Sequence, residues 1–236
     1  MKTTVVSENL IRLTRRNLVV PNAYLVREDD GFTLIDTTTR GAADKLIAAA
    51  ARADGEIRRI ALTHGHADHA GSLDELKQRL GYQVEMMIPE LDARILAGEQ
   101  VAQGRLPGSW PKVDTRPDAA LQDGDRVGSL KVVACPGHSP GHVAFLDTRD
   151  RSLIAGDVFT SIGSVQVTNR FYLRFPFAQM ATWDRTKDLE SAKELTRTAP
   201  TLLVVGHGPA VPNPVPKMET ALREASEATE EVASAA

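Results

Sequence analysis

Three of the six histidines in this 236-residue chain stand within six positions, in Thr63-His64-Gly65-His66-Ala67-Asp68-His69-Ala70-Gly71. Nothing else in the sequence restricts the fold as tightly, because this polar loop sits between two apolar segments. Upstream, Ile57 to Leu62 reads as a short buried strand. Downstream, Ser72-Leu73-Asp74-Glu75 has the form of a capping box, and Leu73, Leu76 and Leu80 fall at the spacing of an amphipathic helix. A strand that ends in a tight loop before a helix aims several short side chains into one small volume. Neutral imidazole and carboxylate are donors that suit zinc and similar divalent ions, and alternate residues of an extended segment point the same way. His64 and His66 can therefore share one ion, while Asp68 and His69 face a second position. The plainer alternative is a polar surface loop, which would require His-x-His-x-Asp-His to arise by chance.

Three histidines do not close a site, and the other three lie in similar settings. His138 and His142 fall in Cys135-Pro136-Gly137-His138-Ser139-Pro140-Gly141-His142, and His207 falls in Val205-Gly206-His207-Gly208-Pro209. Each follows a β-branched run ending in Gly or Pro, the pattern of a loop at a strand end. Leu153-Ile154-Ala155-Gly156-Asp157 repeats the design with a carboxylate.

Taken together, His64-x-His66-x-Asp68-His69, His138, Asp157 and His207 resemble the metal set of the metallo-β-lactamase-fold hydrolase superfamily. The likeness runs from Asn22-Ala23-Tyr24-Leu25-Val26 and Leu34-Ile35-Asp36-Thr37 to Gly206-His207-Gly208-Pro209. It implies an α+β fold, a four-layer αββα sandwich. It also implies that His64, His66 and His138 hold one metal ion, that Asp68, His69 and His207 hold a second, and that Asp157 bridges the two. By the same likeness, His142 and Asp36 orient ligand imidazoles from behind, although Asp36 also has the simpler reading of a turn residue. The cofactor expected is two divalent metal ions, zinc first, with iron or manganese as alternatives.

Bulk properties narrow the setting. A length of 236 residues, 42% of them hydrophobic, suffices for one sizeable core, and ligands spread from 64 to 207 favour a single domain over residues 1–236. Net charge is −3 and no basic run exceeds the pairs Arg15-Arg16 and Arg58-Arg59, which argues against nucleic acid or an anionic membrane as partner. The N-terminal segment lacks the apolar stretch of an export signal, no apolar run is long enough to span a bilayer, and the single cysteine excludes an internal disulfide. The expected location is cytoplasmic. The expected partner is a small-molecule substrate, and a homodimer stays open.

In chain order, Val5-Val6, Leu10 to Leu13, Leu18 to Val20, Tyr24 to Val26 and Phe32 to Ile35 predict an antiparallel meander with a hairpin turn at Asp30-Gly31. Ala42 to Ala53 predicts a helix, Val84 to Ile88 a strand, and Pro89 to Leu96 a short helix opened by proline. Gly98 to Gly124 is broken by prolines around a solitary Trp110 and reads as a lid or partner-contact loop, or as a plain exposed connection. Strands alternate with metal loops from Val127 to Phe159, with a turn at Thr148-Arg149-Asp150-Arg151, and Cys135 reads as a small buried residue rather than a nucleophile. Phe159, Phe171, Tyr172, Phe175, Phe177 and Trp183 crowd one segment with Arg170, Arg174 and Arg185. That segment reads as a cleft wall or as ordinary core and dimer packing. Thr182 to Thr198 predicts a helix, Leu202 to Val205 the last strand, and Met218 to Val232 a terminal helix.

The resemblance implies a dinuclear metal-dependent hydrolase, in which a bridging hydroxide attacks the carbonyl of an ester, thioester or lactone and Asp68 and Asp157 are the catalytic carboxylates. Several branches fit less well. True β-lactamases with this histidine pattern lack the bridging Asp. Glyoxalase II carries a C-terminal helical domain, whereas 29 residues follow His207 here. Acyl-homoserine lactonases carry a tyrosine soon after the bridging Asp, where this chain has Val158-Phe159-Thr160-Ser161. The alternative from another class is a persulfide dioxygenase, which uses one iron held by the equivalents of His64, His138 and Asp157.

Overall fold

The computed structural model describes residues 1–16, 18–102 and 106–234. The first seven strands form one sheet in chain order: β1 (Lys2–Val5), β2 (Leu10–Thr14), β3 (Asn22–Glu28), β4 (Gly31–Ile35), β5 (Ile57–Ala61), β6 (Glu85–Pro89) and β7 (Ala119–Leu121). The first four are antiparallel, and β4 to β7 are parallel. The parallel steps require crossovers, supplied by helices α1 (Ala43–Arg52), α2 (Ala67–Ala70), α3 (Leu73–Leu80) and α4 (Glu90–Leu96). A second sheet contains β8 (Arg126–Val127), β9 (Leu130–Ala134), β10 (Val143–Asp147) and β11 (Ser152–Ile154). A two-stranded ribbon follows, β12 (Phe159–Thr160) with β13 (Gln166–Val167), then helices α5 (Phe177–Ala181) and α6 (Arg185–Arg197). The second sheet is completed by β14 (Leu202–Val204), parallel to β11, and β15 (Val211–Pro212), before helix α7 (Val215–Ser234).

The period-two side-chain alternation of the strands builds the layers. On β3, Ala23 and Leu25 face helices α1 and α3, while Tyr24 and Val26 face the second sheet. On β10, Val143 and Phe145 face the first sheet, while Ala144 faces the side of α6 and α7. Three buried clusters follow from this: helices on the first sheet, sheet on sheet, and the second sheet on Leu189, Ala192 and Leu195 of α6 with Met218, Ala221 and Ala225 of α7. That stacking is the αββα sandwich of an α+β fold. Among the described residues, no helix is long and apolar enough to cross a membrane.

Several local expectations differ from what is found. Leu18 to Val20 is no strand; it bends outward with Leu18 exposed and Val20 at φ 48°, because the next segment is held by an isolated bridge between Pro21 and His207. The β3–β4 register pairs Glu28 with Gly31, so the hairpin turn is Asp29-Asp30 rather than Asp30-Gly31. Ser72 and Glu75 do not form a capping box. Ser72 Oγ donates to Thr39 O (2.8 Å) and accepts from Ala42 N (2.9 Å), and Glu75 accepts from Gly41 N, so both hold down the loop that follows Asp36. The stretch Gly98 to Gly124 contains β7, and residues 103–105 of it lie outside the described residues. Proline and glycine breaks also hid α5 and β15, both of which are short and stabilised by their neighbours rather than by periodicity.

The functional loops all leave the same rim of the sandwich: Asp36 after β4, the His64 loop after β5, the His138 loop after β9, Asp157 after β11 and His207 after β14. Backbone bonds cross between the sheets there, Val143 N to Thr63 O (2.9 Å) and Asn22 N to Gly206 O (2.8 Å). The rim geometry therefore depends on the sheet-on-sheet layer. Phe145, fully buried in that layer, makes the point testable. Phe145→Ala should cost about 3–5 kcal/mol in urea unfolding, and a cost near zero would mean that the two sheets do not share a packed interior.

Candidate metal centre

At that rim, three imidazole nitrogens converge. His66 Nδ1 lies 3.1 Å from His64 Nε2 and 3.1 Å from His138 Nε2. Beside them, His207 Nε2 stands 3.3 Å from Asp68 Oδ2 and 3.2 Å from Asp157 Oδ2. His69 Nε2 is 3.5 Å from Asp157 Oδ1 and 4.0 Å from Asp68 Oδ2. Asp157 lies between the groups, with its Oδ2 also 3.6 Å from His138 Nε2. The seven residues named from the sequence thus meet in one volume, as His64-His66-His138, Asp68-His69-His207, and His64-His69-Asp157.

The protons on these rings follow from their outer partners. Asp36, at φ 62° beyond β4, is fully buried and accepts from Thr63 N (2.8 Å), from Thr63 Oγ1 (2.9 Å) and from His69 Nδ1 (2.8 Å). The single Thr63 hydroxyl proton goes to that carboxylate, so Thr63 Oγ1 accepts from His64 Nδ1 (3.0 Å). Thr182 Oγ1 donates to Ala178 O (2.9 Å) and accepts from His138 Nδ1 (3.1 Å). His207 Nδ1 donates to Val19 O (2.7 Å). Four imidazoles are therefore held by their outer N–H, which leaves the inner nitrogen of each neutral ring as a bare lone pair. His69 Nε2 and Asp157 Oδ1 are buried with no hydrogen-bond partner. Unpaired inner donors of this type, N and O only, fit divalent cations and otherwise carry a desolvation cost.

Two loops are kept in register by a residue the sequence reading passed over. Asp92 of α4, fully buried, accepts from Gly65 N (2.8 Å), Ser139 Oγ (2.6 Å) and Gly141 N (2.7 Å), tying the His64-His66 loop to the His138 loop. Burial pushes its carboxyl up to about 6, against the opposing pull of those three donors. Thr182 was likewise unremarked. Its position just past α5 gave no signal beyond a hydroxyl near an aromatic-rich segment. Arg12, Asn22 and Tyr24, from the first sheet, hold the His207 loop through Gly208 O and Val205 O. At Gly206 a Cβ would overlap Asp157 Oδ1 and come within 2.7 Å of His69 Cε1, so only glycine fits there.

His142 makes no hydrogen bond to a ligand imidazole, the role the resemblance implied, and touches one only by stacking. Its Nε2 accepts from Asp157 N (3.0 Å) and its Nδ1 therefore donates to Cys135 Sγ (3.1 Å), with the ring stacked on His64 at 4.9 Å. It fixes the backbone of Asp157 instead. Burial lowers its pKa to about 3, so the ring stays neutral and the acceptor nitrogen is kept. Cys135 is buried, and burial raises its thiol well above the ordinary value, consistent with a packed side chain.

Electrostatics divide the centre in two. Burial drives His64 and His138 well below the ordinary histidine value and His66 down to about 4, so these rings present lone pairs at neutral pH. For His207 burial pulls downward too, but Asp157 and Asp68 outweigh it and push the ring up to about 10. The same carboxylates, with Asp36, raise His69.

A cavity of about 460 Å³ opens onto the cluster. Its wall includes His66, Asp68, Asp157 and His207 together with Gly108, Ser109, Phe175 and Phe177. The Gly98–Gly124 loop thus touches the site: Trp110 is no solitary ring but packs edge-on against His66 at 4.9 Å. The aromatic segment divides, with Phe159 in the core and Phe175 against His207 at 4.7 Å.

The metallo-beta-lactamase superfamily model matches residues 16–207. This chain belongs to that superfamily. Among its relatives is YobT, an uncharacterised protein of Bacillus subtilis (strain 168), 38% identical over 210 residues, which span 86% of this chain and 90% of YobT. Hydroxyacylglutathione hydrolase GloC of Haemophilus influenzae is 28% identical over 194 residues, 79% of this chain and 85% of GloC. The crystal structure of TTHA1623 in a di-iron-bound form superposes with a TM-score of 0.65 at 29% identity, covering 86% of this chain and 95% of that one. The superfamily is one of metallo-hydrolases, and the chain carries a His/Asp cluster suited to metal.

The proton accounting generates a pH test. A histidine raised from 6.5 to about 10 in the fold stabilises it fully below pH 6.5, and that stabilisation is lost as pH rises through about 10. Metal-free protein should therefore lose urea resistance between about pH 7 and pH 10, and zinc loading should flatten that slope because His207 Nε2 then holds an ion instead of a proton. An unchanged slope on loading would contradict the assignment of His207.

Proposed function

We propose that the protein is a dinuclear metal-dependent hydrolase acting on the carbonyl of a small ester, thioester or lactone. The observation that carries this reading is the pair of donor triads, His64-His66-His138 and Asp68-His69-His207, meeting at Asp157, with His69 Nε2 and Asp157 Oδ1 buried and unpartnered between them. His64, His66 and His138 would hold the first ion, Asp68, His69 and His207 the second, and Asp157 would be shared. Zinc suits a donor set of imidazole nitrogen and carboxylate oxygen, and iron or manganese are the alternatives. Two bound divalent ions supply a water acidified from pKa 15.7 toward ~7 and a polarised carbonyl.

The chain's own groups do the rest. Asp36, Thr63 and Thr182 hold the imidazoles rigid, so ligand positions are set before substrate arrives. Asp157 is anchored through its backbone N–H by His142. Asp68 lines the cavity and its carboxylate is held low by His69 and His207 despite burial, so it is ionised and placed to carry a proton from water to the leaving alkoxide or thiolate. In balance, the oxygen of water bonds to the carbonyl carbon, the C–S or C–O bond breaks, and the leaving group departs with a proton. Kinship with a hydroxyacylglutathione hydrolase supports the hydrolytic class, and a di-iron-bound relative supports a paired centre.

Metal analysis by plasma mass spectrometry tests the reading. The protein should carry two ions per chain, and Asp157→Ala or His207→Ala should each reduce this to one or fewer and lower kcat on a thioester by about 100-fold or more. Two full ions in either variant would contradict the ligand set. One iron per chain with oxygen consumed on a persulfide would replace hydrolysis with the dioxygenase reading.

A further inference from the structure

The cavity wall beyond the metal cluster has a consistent character. Helix α5 offers Phe177, Met180 and Ala181 at positions i, i+3 and i+4, hence on one face, with Ala178 beside them and Val19 and Ala67 completing the lining. The wall grades from closed to open. Phe175 is 6% exposed and packs at a tilt against His207, Phe177 is 43% exposed and meets Phe175 edge-on at 6.1 Å, and Met180 is 68% exposed at the mouth. Apolar side chains left in water at the rim of a cavity are costly unless something covers them, and methionine is suited to covering chains of varied shape.

Charge points the same way. Among the described lining residues there is no lysine or arginine; the ionisable ones are Asp68, Asp157, His66, His138 and His207, all at the base. Arg12 donates to Gly208 O and Arg170 pairs with Glu224, away from the wall of α5, while Arg15 is held at the opposite edge by Thr39 O. A substrate whose distal half carries carboxylates would surrender their hydration without a cationic partner among the described residues of this wall.

We propose that the substrate is uncharged away from its scissile carbonyl and lays an alkyl or acyl chain along α5, with Phe177 and Met180 as the specificity-determining residues. This rests on the hydrolytic reading of the site, and the test separates the two. Binding is measured with thioethers that cannot be hydrolysed, S-ethyl- and S-octyl-N-acetylcysteamine and S-octylglutathione, on zinc-loaded protein, by the fluorescence of Trp110 beside His66. The octyl N-acetylcysteamine thioether should bind at least tenfold more tightly than its ethyl homologue, since each buried methylene contributes about fourfold at most. It should also bind at least tenfold more tightly than S-octylglutathione, which carries two carboxylates. Met180→Lys and Phe177→Ala should each weaken the octyl compound about fivefold or more and leave the ethyl compound unchanged.

In parallel, hydrolysis of S-acetyl- and S-octanoyl-N-acetylcysteamine is followed. Chain-length preference in binding without any hydrolysis supports the apolar wall and removes the hydrolytic reading. Hydrolysis with indifference to chain length, or tighter binding of S-octylglutathione, overturns the proposal and leaves the hydrolase intact. If Met180→Lys changes only the oligomeric state in size-exclusion chromatography, the rim is an interface between copies and the proposal is likewise overturned.

Discussion

Inward-facing lone pairs, buried together with nothing to share, are the constraint around which this molecule is built. His64 and His138 each spend their one N–H on an outer oxygen, Thr63 and Thr182, and then present bare nitrogens 3.1 Å from His66 Nδ1. At most one proton on His66 can sit between those two nitrogens, so one contact stays repulsive. Across Asp157 the protein adopts the other solution, taking protons on His207 and His69. The first arrangement opposes folding, whereas the second supports it only while those rings keep their protons. A divalent cation entering the cluster would relieve the repulsion and displace the protons, coupling its uptake to proton release and to stability.

The sandwich supplies what such a cluster lacks. Donors come from both sheets, and the interlayer packing of Tyr24, Val26, Phe145 and Ile154 determines how far apart the two loop sets stand. Buried polar side chains then pin individual loops: Asp92 joins the His64 and His138 loops, while Tyr24 and Asn22 reach across to Val205 O. Asp36 accepts from both the Thr63 backbone and His69, so one carboxylate fixes the start of the histidine loop and the His69 ring together. The positions of the candidate donors are thus decided by groups outside the cluster.

Much of this was legible in the letters because ligand chemistry is local: His64, His66, Asp68 and His69 announce themselves by spacing, and His138, Asp157 and His207 by their place after β-branched runs. The layers were legible where alternation is long enough to read, as in β3. What stayed hidden was held by tertiary partners. Asp92 looks like any acid in the first turn of a helix, and only burial reveals that it receives three donors. Ser72 and Glu75 match a capping box letter for letter, yet the neighbouring Gly41-Ala42 backbone offers better-placed donors. The family likeness assigned His142 to orienting an imidazole, and no letter shows that its ring accepts from the Asp157 amide and only stacks on His64. Strand β15, with two residues, carries no periodicity to read.

Anomalous diffraction from crystals grown with zinc, collected on both sides of the zinc absorption edge, addresses the central claim directly. The account predicts two peaks. One should lie about 2.0–2.2 Å from nitrogens of His64, His66 and His138, and the other at similar distances from Asp68, His69 and His207, with Asp157 touching both. A single peak, or a second peak that leaves His207 unliganded, would contradict it.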